Sequence, residues 1–550
     1  MAVRSAIPAT HINARFRHYL PARPLRHSIM EAMPRKIPRL LWLAVPLAYF
    51  LYFYRLDAAG LIGPDEPRYA SIGREMARSG DWITPRLWGL PWFEKPALLY
   101  WMTGAAFRLG LGTELAPRLP VALLAVAFLA FYWWTVRREF GCLAAGFATL
   151  ILGTCGEWLG FSQVGAPDLP LAVTFSAAML LAVPWIARKD ARFLPAASAL
   201  LGFAVLAKGL TPLVLAAPAI PAVWSVGRHA GEPGRPVPSF RDLLRLRVMA
   251  PFLVVALPWY LLCYLRNGMA FPIEFFWRHH FQRFTSGALL HGQPWWFYLP
   301  VFAGAFLPWT PLLPLVGRRA AFRDPRRLFL LAWVLFGLAV FSLSVNKLPG
   351  YVLPLLPAAA LLVALALDEA VNARPWLAAC ALSLVAFPIA VPVLPAALAS
   401  GLSRAPRPAF HWWWLSPAAV AAVVWLLETR GRRLAAVAVI AIGATAGMLY
   451  VKQSALPRVD GIASARGLWR AIAGRAGGVC IANIDRNWVY GLNYYSVTPL
   501  PECSAQPRPL WLLQSPGQPP HLAPAPSSPD SMVDLVSPNV VLSPFRNRLK

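Results

Sequence analysis

The sequence predicts an all-α polytopic membrane protein that carries a small α/β domain at its C-terminal end. Two observations lead there. The chain is 58% hydrophobic over 550 residues, and its apolar residues fall into repeated stretches near the roughly 20 residues that cross a bilayer. Its net charge of +28 is carried by arginine clusters lying between those stretches, where positive charge marks the cytoplasmic side. The basic balance therefore describes orientation in a membrane. It excludes nucleic acid, the partner that such a charge suggests for a soluble chain.

Residues 1–37 are rich in Arg, lack apolar periodicity and read as a disordered cytoplasmic tail. The first apolar run, residues 40–54, has aromatics where a cleavage site needs small side chains, so it is expected to stay as an anchor. A transmembrane domain then occupies 38–451, with spans expected near 38–56, 116–136, 141–157, 168–187, 193–207, 210–226, 248–266, 295–316, 328–345, 350–368, 375–395, 409–427 and 433–451, about thirteen helices in all. Several fall short of a full crossing, and 194–206 admits tilt or re-entry.

A further apolar stretch at 97–111 is settled by charge. If it crossed, the Arg137-Arg138 loop, Arg188-Lys189-Arg192 and the clusters at 241–247, 318–327 and 430–433 would all lie outside; if it does not, all lie inside. It is therefore read as a helix on the outer surface, in the periplasmic loop 57–115. The count of spans then places residues 452–550 outside as well. That segment has a helix-like 464–476, strand-like 479–484 and 510–513, a Tyr-rich 487–495 and a Pro-Ser-rich stretch at 515–529, a small soluble α/β domain. It also holds Cys480 and Cys503, a possible disulfide in an oxidising compartment, with free thiols as the alternative.

The outer loops gather the residues suited to chemistry. The first contains Gly63-Pro64-Asp65-Glu66-Pro67-Arg68-Tyr69 and later Phe93-Glu94-Lys95-Pro96. Taken singly, Asp65 or Glu66 is a helix N-cap and Glu94-Lys95 an interfacial snorkelling pair. Asp168, after Pro167, is again most simply an N-cap. Lys208 and Lys347 stand against the positive-inside trend at short outer turns, which suggests an anion there. The second long loop, 267–294, adds Glu274, Arg278, His279, His280, Arg283 and His291 among tryptophans; without fixed ligand spacing, the histidines point to structural or substrate-contacting roles before metal. One-sided charge favours an enzyme acting on a lipid-linked phosphate over a transporter, whose ionisable groups sit near the bilayer middle.

These segments, with Lys208-Gly209 and Lys347-Leu348-Pro349-Gly350-Tyr351-Val352-Leu353-Pro354, resemble the polyprenyl-phosphate-dependent glycosyltransferases of the GT-C type and, more narrowly, the lipid A aminoarabinose transferases. Protein mannosyltransferases share much of the pattern and are the alternative. The resemblance implies transfer of 4-amino-4-deoxy-L-arabinose from undecaprenyl phosphate to a lipid A phosphate, with inversion, on the periplasmic side of a bacterial inner membrane. Such transfer lowers outer-surface negative charge and confers polymyxin resistance. It implies Asp65 as the leading catalytic residue, with Asp168 as a second carboxylate. Lys95 is implied as the donor-phosphate contact; Lys208, Arg278 and Lys347, by their charge on the outer side, and Tyr351 are expected as further phosphate contacts. Glu66, Arg68, Tyr69 and Glu94 complete the implied site, Glu94 also as a ligand to a divalent metal such as Zn. A phosphate monoester with a second pKa of about 6 is already nucleophilic near neutrality, so Asp65 is expected to position reactants and stabilise positive charge more than to act as a strong base.

Overall fold

The computed structural model describes residues 44–217, 238–282, 292–317, 324–515 and 517–525. The chain divides into Met1–Leu47 and Ala48–Lys550, and the architecture belongs to the second unit; the expected tail at 1–37 lies outside the described residues. Among the described residues, eight helices are long and apolar enough to cross a membrane: Gly112–Phe140, Asp168–Arg188, Ala191–Lys208, Leu246–Asn267, Pro325–Leu343, Pro349–Asp368, Arg374–Ser400 and Arg433–Ser454. Trp295–Ala305 and Thr310–Gly317 make one further candidate, bent by 113° between its halves.

Other segments expected to span are shorter. Cys142–Gly153 has 12 residues and Ser416–Thr429 has 14; within 210–226 the described helix is the five-residue Thr211–Leu215. At 1.5 Å per residue, a helix of about 12 residues reaches roughly 18 Å, short of a hydrocarbon layer of about 30 Å. The stretch at 97–111 forms the helix Leu98–Arg108, whose 11 residues likewise cover only about half of that thickness.

Asp168–Arg188 and Pro349–Asp368 form the centre of the bundle, each 94% buried over its most apolar window, as expected of helices that are apolar on every side. Tyr132 Oη donates to the Pro357 carbonyl at 2.7 Å, tying Gly112–Phe140 to this pair. The bundle has two chemically different ends. At one, Arg188 forks onto Glu139 at 2.6 and 2.9 Å, and Arg433 caps the carbonyls of Leu367 and Ala370 at 2.6 and 2.9 Å. At the other lie Glu66, Arg118, Asp168 and Lys208. The 21-residue helix Asp168–Arg188 separates the two by about 31 Å, so the carboxylates and lysines read as chemical gather opposite the arginine clusters.

The C-terminal region adds a three-stranded sheet ordered Val479–Asn483, Leu510–Leu513, His521–Pro524, the first pair parallel and the second antiparallel. Ile472, Val479, Ile481, Leu492 and Leu512 are buried between it and the helices Arg466–Ile472 and Arg486–Ser496. Cys480 and Cys503 are disulfide-bonded, clipping the first strand to the segment that pairs with Ile481. The domain is fastened to residues 57–60. Arg466 donates to the carbonyls of Asp57 and Ala58, each at 2.9 Å, and the Gly60 amide donates to Asp460 Oδ1 at 2.8 Å. At Gly60 a Cβ would fall 2.2 Å from Ser464 Oγ, so only glycine admits this approach.

Candidate active site

The helix Asp65–Ser79 presents the first cluster. Pro67 sits in its first turn, where backbone N–H groups have no intrahelical partner, and Gly80 closes it in the left-handed region. Neither Asp65 nor Glu66 acts as the N-cap: Pro64 holds that position and makes no side-chain cap bond. Both side chains are instead drawn to guanidinium groups. Asp65 Oδ1 accepts from Arg68 Nη2 at 2.6 Å, and the same nitrogen lies 2.8 Å from Glu94 Oε2. Lys95 Nζ donates to Glu94 Oε1 at 3.0 Å.

Arg68 is buried, its guanidinium 5.3, 5.7 and 5.3 Å from the ring centres of Tyr69, Trp92 and Tyr490. Burial opposes its charge, but Glu94, Tyr69 and Asp65 outweigh burial and hold the group well above its ordinary value, so it stays a cation. The centre thus holds two carboxylates and two cations, while the Asp65 side chain keeps half its surface open to solvent. Burial, helped by Asp65 and Glu94, raises the phenols of Tyr69 and Tyr100 far above theirs, so both remain hydroxyls. The buried Tyr100 Oη has no hydrogen-bond partner among the described residues, which makes it an available donor beside the carboxylates.

Glu66 sits behind this cluster. It accepts from Arg118 Nε and Nη2 at 2.7 and 2.8 Å, from the Ile62 amide at 3.0 Å and from the Gly165 amide at 3.0 Å. Arg118 also donates to the carbonyls of Leu56, Ala59 and Gly60. With its carboxylate fully occupied, Glu66 positions: it ties the segment at Ile62 to the turn that leads into Asp168.

Asp168 belongs to the second cluster. It is the first residue of its helix, with Pro167 at the cap position. Its side chain receives Lys208 Nζ at 2.5 Å, and that ammonium lies 4.5 Å from the Tyr351 ring centre. Glu157, within electrostatic reach of Asp168 and Lys208, has both oxygens buried without a hydrogen-bond partner among the described residues. A Cβ at Gly350 would meet Phe161 Cζ at 2.4 Å and Asp168 Oδ1 at 3.2 Å, so the turn before Tyr351 closes on the carboxylate only because residue 350 is glycine.

Phe93 and Leu206, each two residues from a lysine of one of the two clusters, share an apolar cluster with Trp259, Phe271 and Phe275. The structure therefore brings Asp65, Arg68, Tyr69, Glu94 and Lys95 together, and Asp168, Lys208 and Tyr351 together. Lys347 is buried and donates to the carbonyls of Gln293 and Ser344 at 3.0 and 2.5 Å, tying its turn to the segment at 292–293. Arg278, its side chain more than half exposed, pairs with Glu274 at 3.2 Å on the π-helical turn Ile273–Gln282. Arg283 and His291, and the side chains of His279 and His280, lie outside the described residues.

Tyr100, Arg118, Glu157 and Tyr490 are the contributors that sequence reading passed over. Arg118 had a signal, being an arginine inside an apolar span. Among the described residues no three His, Cys, Asp or Glu side chains converge. Among those residues Arg68 and Lys95 contact Glu94 on both oxygens.

A model of the dolichyl-phosphate-mannose-protein mannosyltransferase family matches residues 94–255. The undecaprenyl phosphate-alpha-4-amino-4-deoxy-L-arabinose arabinosyl transferase of Serratia proteamaculans is 34% identical over 349 residues, 60% of this chain and 60% of that protein. A counterpart from Pseudomonas fluorescens is 34% identical over 345 residues, 58% of this chain and 55% of its own length. The matched stretch thus spans about 60% or less of the length of these curated relatives. The crystal structure of ArnT from Cupriavidus metallidurans bound to undecaprenyl phosphate superposes with a TM-score of 0.66 at 29% identity, covering 84% of this chain and 86% of that one. Sharing a GT-C type fold with that structure over most of its length, the chain is a homologue of the undecaprenyl phosphate-aminoarabinose arabinosyl transferases.

Proposed function

We propose that this chain transfers 4-amino-4-deoxy-L-arabinose from undecaprenyl phosphate to a phosphate of lipid A, at the periplasmic face of a bacterial inner membrane. The observation that carries the reading is the cluster in which half-exposed Asp65 is held by buried Arg68 beside the Glu94–Lys95 pair. A phosphate oxygen of the acceptor attacks the sugar's anomeric carbon while the bond from that carbon to the donor phosphate oxygen breaks on the opposite side, inverting the centre. The electron pair of the broken bond leaves with undecaprenyl phosphate, whose growing charge Lys95 and Lys208 neutralise. Asp65 orients the acceptor and stabilises positive charge on the sugar. The Tyr100 hydroxyl supplies a donor to a phosphate or sugar oxygen.

Lys95→Ala is expected to weaken binding of undecaprenyl phosphate by about 10- to 100-fold, the loss of one charge-assisted contact. Tryptophan-fluorescence titration of the purified protein measures it, and unchanged affinity removes Lys95 from the donor site. Because the nucleophile is the acceptor's own dianion, kcat/KM should rise about tenfold per pH unit below about pH 6 and level off above it. A rate that keeps rising through pH 8 would instead mark a hydroxyl acceptor. That is the outcome expected of the second reading, glycosyl transfer to protein, which the match to the mannosyltransferase family model favours. Mass spectrometry of lipid A and of a peptide pool incubated with the same enzyme separates the two.

A further inference from the structure

A cavity of about 280 Å³ opens between the helix Asp65–Ser79, the hairpin turn at 88–89 and the C-terminal domain, lined by Ser71, Arg74, Arg78, Trp88, Val497 and Thr498 among others. Three features single it out. The first is charge. Arg74 and Arg78 stand one turn apart on the same helix, a like-charge pairing; Arg74 donates through Nη2 to the Tyr494 carbonyl at 2.7 Å and lies 4.4 Å from the Tyr494 ring centre, partners that bring no formal negative charge. The neighbouring carboxylate, Glu75, accepts from the Gly89 amide at 2.9 Å, and one carboxylate leaves the pair net positive. Burial, with Arg78 adding to it, pulls the Arg74 guanidinium below its ordinary value, which a bound anion would reverse.

The second is backbone strain. Among the described residues, four that are not glycine have positive φ, and two of them, Trp88 at 53° and Val497 at 69°, line this one cavity from two different parts of the fold. A β-branched residue in that region is an outlier, and a two-residue hairpin turn ordinarily takes Asn or Gly where Trp88 stands. Strain of this kind persists where the surroundings require a side chain at that spot. The third is position. Trp88 stacks on Tyr490 with ring centres 5.7 Å apart, and the far neighbour of Tyr490 is Arg68. One aromatic layer thus separates the cavity from the reacting centre.

We infer that this cavity is an anchoring subsite for a phosphorylated sugar headgroup of the acceptor, with Arg74 and Arg78 taking the phosphate and Trp88 lying against the sugar ring. The inference rests on the acceptor reading above, since a glycolipid carrying a phosphate besides the one that reacts needs such a second hold. It also explains why the domain contributing 497–499 is fastened so closely to the first loop.

The test is binding, so it does not depend on turnover. Glucosamine 1-phosphate and inorganic phosphate are titrated into the full-length purified protein by calorimetry. Arg78 is exposed, and Arg78→Ala should weaken glucosamine 1-phosphate about tenfold. Arg475→Ala, at an exposed arginine of the C-terminal domain that does not line the cavity, should change nothing. Trp88→Ala should weaken the sugar phosphate while leaving inorganic phosphate as it was. Equal losses in Arg78→Ala and Arg475→Ala, or no loss in Arg78→Ala, overturn the inference. In a transfer assay Arg78→Ala should raise the acceptor KM and leave kcat near wild type. If the protein proves to transfer to a peptide hydroxyl while glucosamine 1-phosphate still binds through Arg78, the acceptor reading fails and the subsite stands.

Discussion

Asp65→Asn is expected to reduce sugar transfer by about 10²- to 10³-fold, the usual consequence of removing one preorganised charge from a reacting centre. The substitution keeps an oxygen that can accept from Arg68, so the 2.6 Å contact and the helix start survive, and only the charge is lost. Donor affinity should therefore change little and the loss should appear in kcat. The same centre holds Arg68 between Asp65 and Glu94, which fixes where the Asp65 carboxylate points. With half its surface open, Asp65 is the carboxylate of this cluster placed to meet a substrate. Near-normal transfer by purified Asp65→Asn would remove it from the chemistry.

The second large effect is structural. Arg118→Met should destabilise the protein by roughly 3–5 kcal/mol, because it leaves Glu66 as an uncompensated buried charge. It also removes the donors that hold the carbonyls of Leu56, Ala59 and Gly60. The doubly substituted Glu66→Leu, Arg118→Met protein should recover part of the loss, since no lone charge then remains. A melting profile followed by size exclusion in detergent reads both. A single variant as stable as wild type would mean that the Glu66–Arg118 lock does not hold the loop.

These two residues illustrate what was legible in the sequence. The acidic pair at 65–66 was visible as chemistry, but its division of labour was not. Glu66 faces Arg118, 52 positions along the chain, and no local spacing announces that partnership. The N-cap readings of Asp65 and Asp168 failed because Arg68, three residues along, and Lys208, 40 residues away, compete for the carboxylates and win. A charge-assisted pair of this kind outweighs a cap worth about 1 kcal/mol. Long apolar helices such as Asp168–Arg188 were readable from composition alone. Cys142–Gly153 and Ser416–Thr429 were located, within 141–157 and 409–427, but their lengths were overread, because hydropathy averages across the glycines and loop residues that end a helix. The Tyr-rich stretch at 487–495 stood out by composition, yet the contact of Tyr490 with Arg68 depends on docking between segments some 400 residues apart. Lys347 was conspicuous for its charge, and the structure turns that charge onto two carbonyls of its own neighbourhood.

The most direct measurement is reconstitution of the purified protein with undecaprenyl-phosphate-linked 4-amino-4-deoxy-L-arabinose and lipid A, followed by mass spectrometry of the lipid. Wild-type protein should add the sugar to a lipid A phosphate with inversion, and Asp65→Asn should not do so at a comparable rate. Unmodified lipid A alongside a glycosylated peptide, or equal transfer by the two proteins, would contradict the assignment.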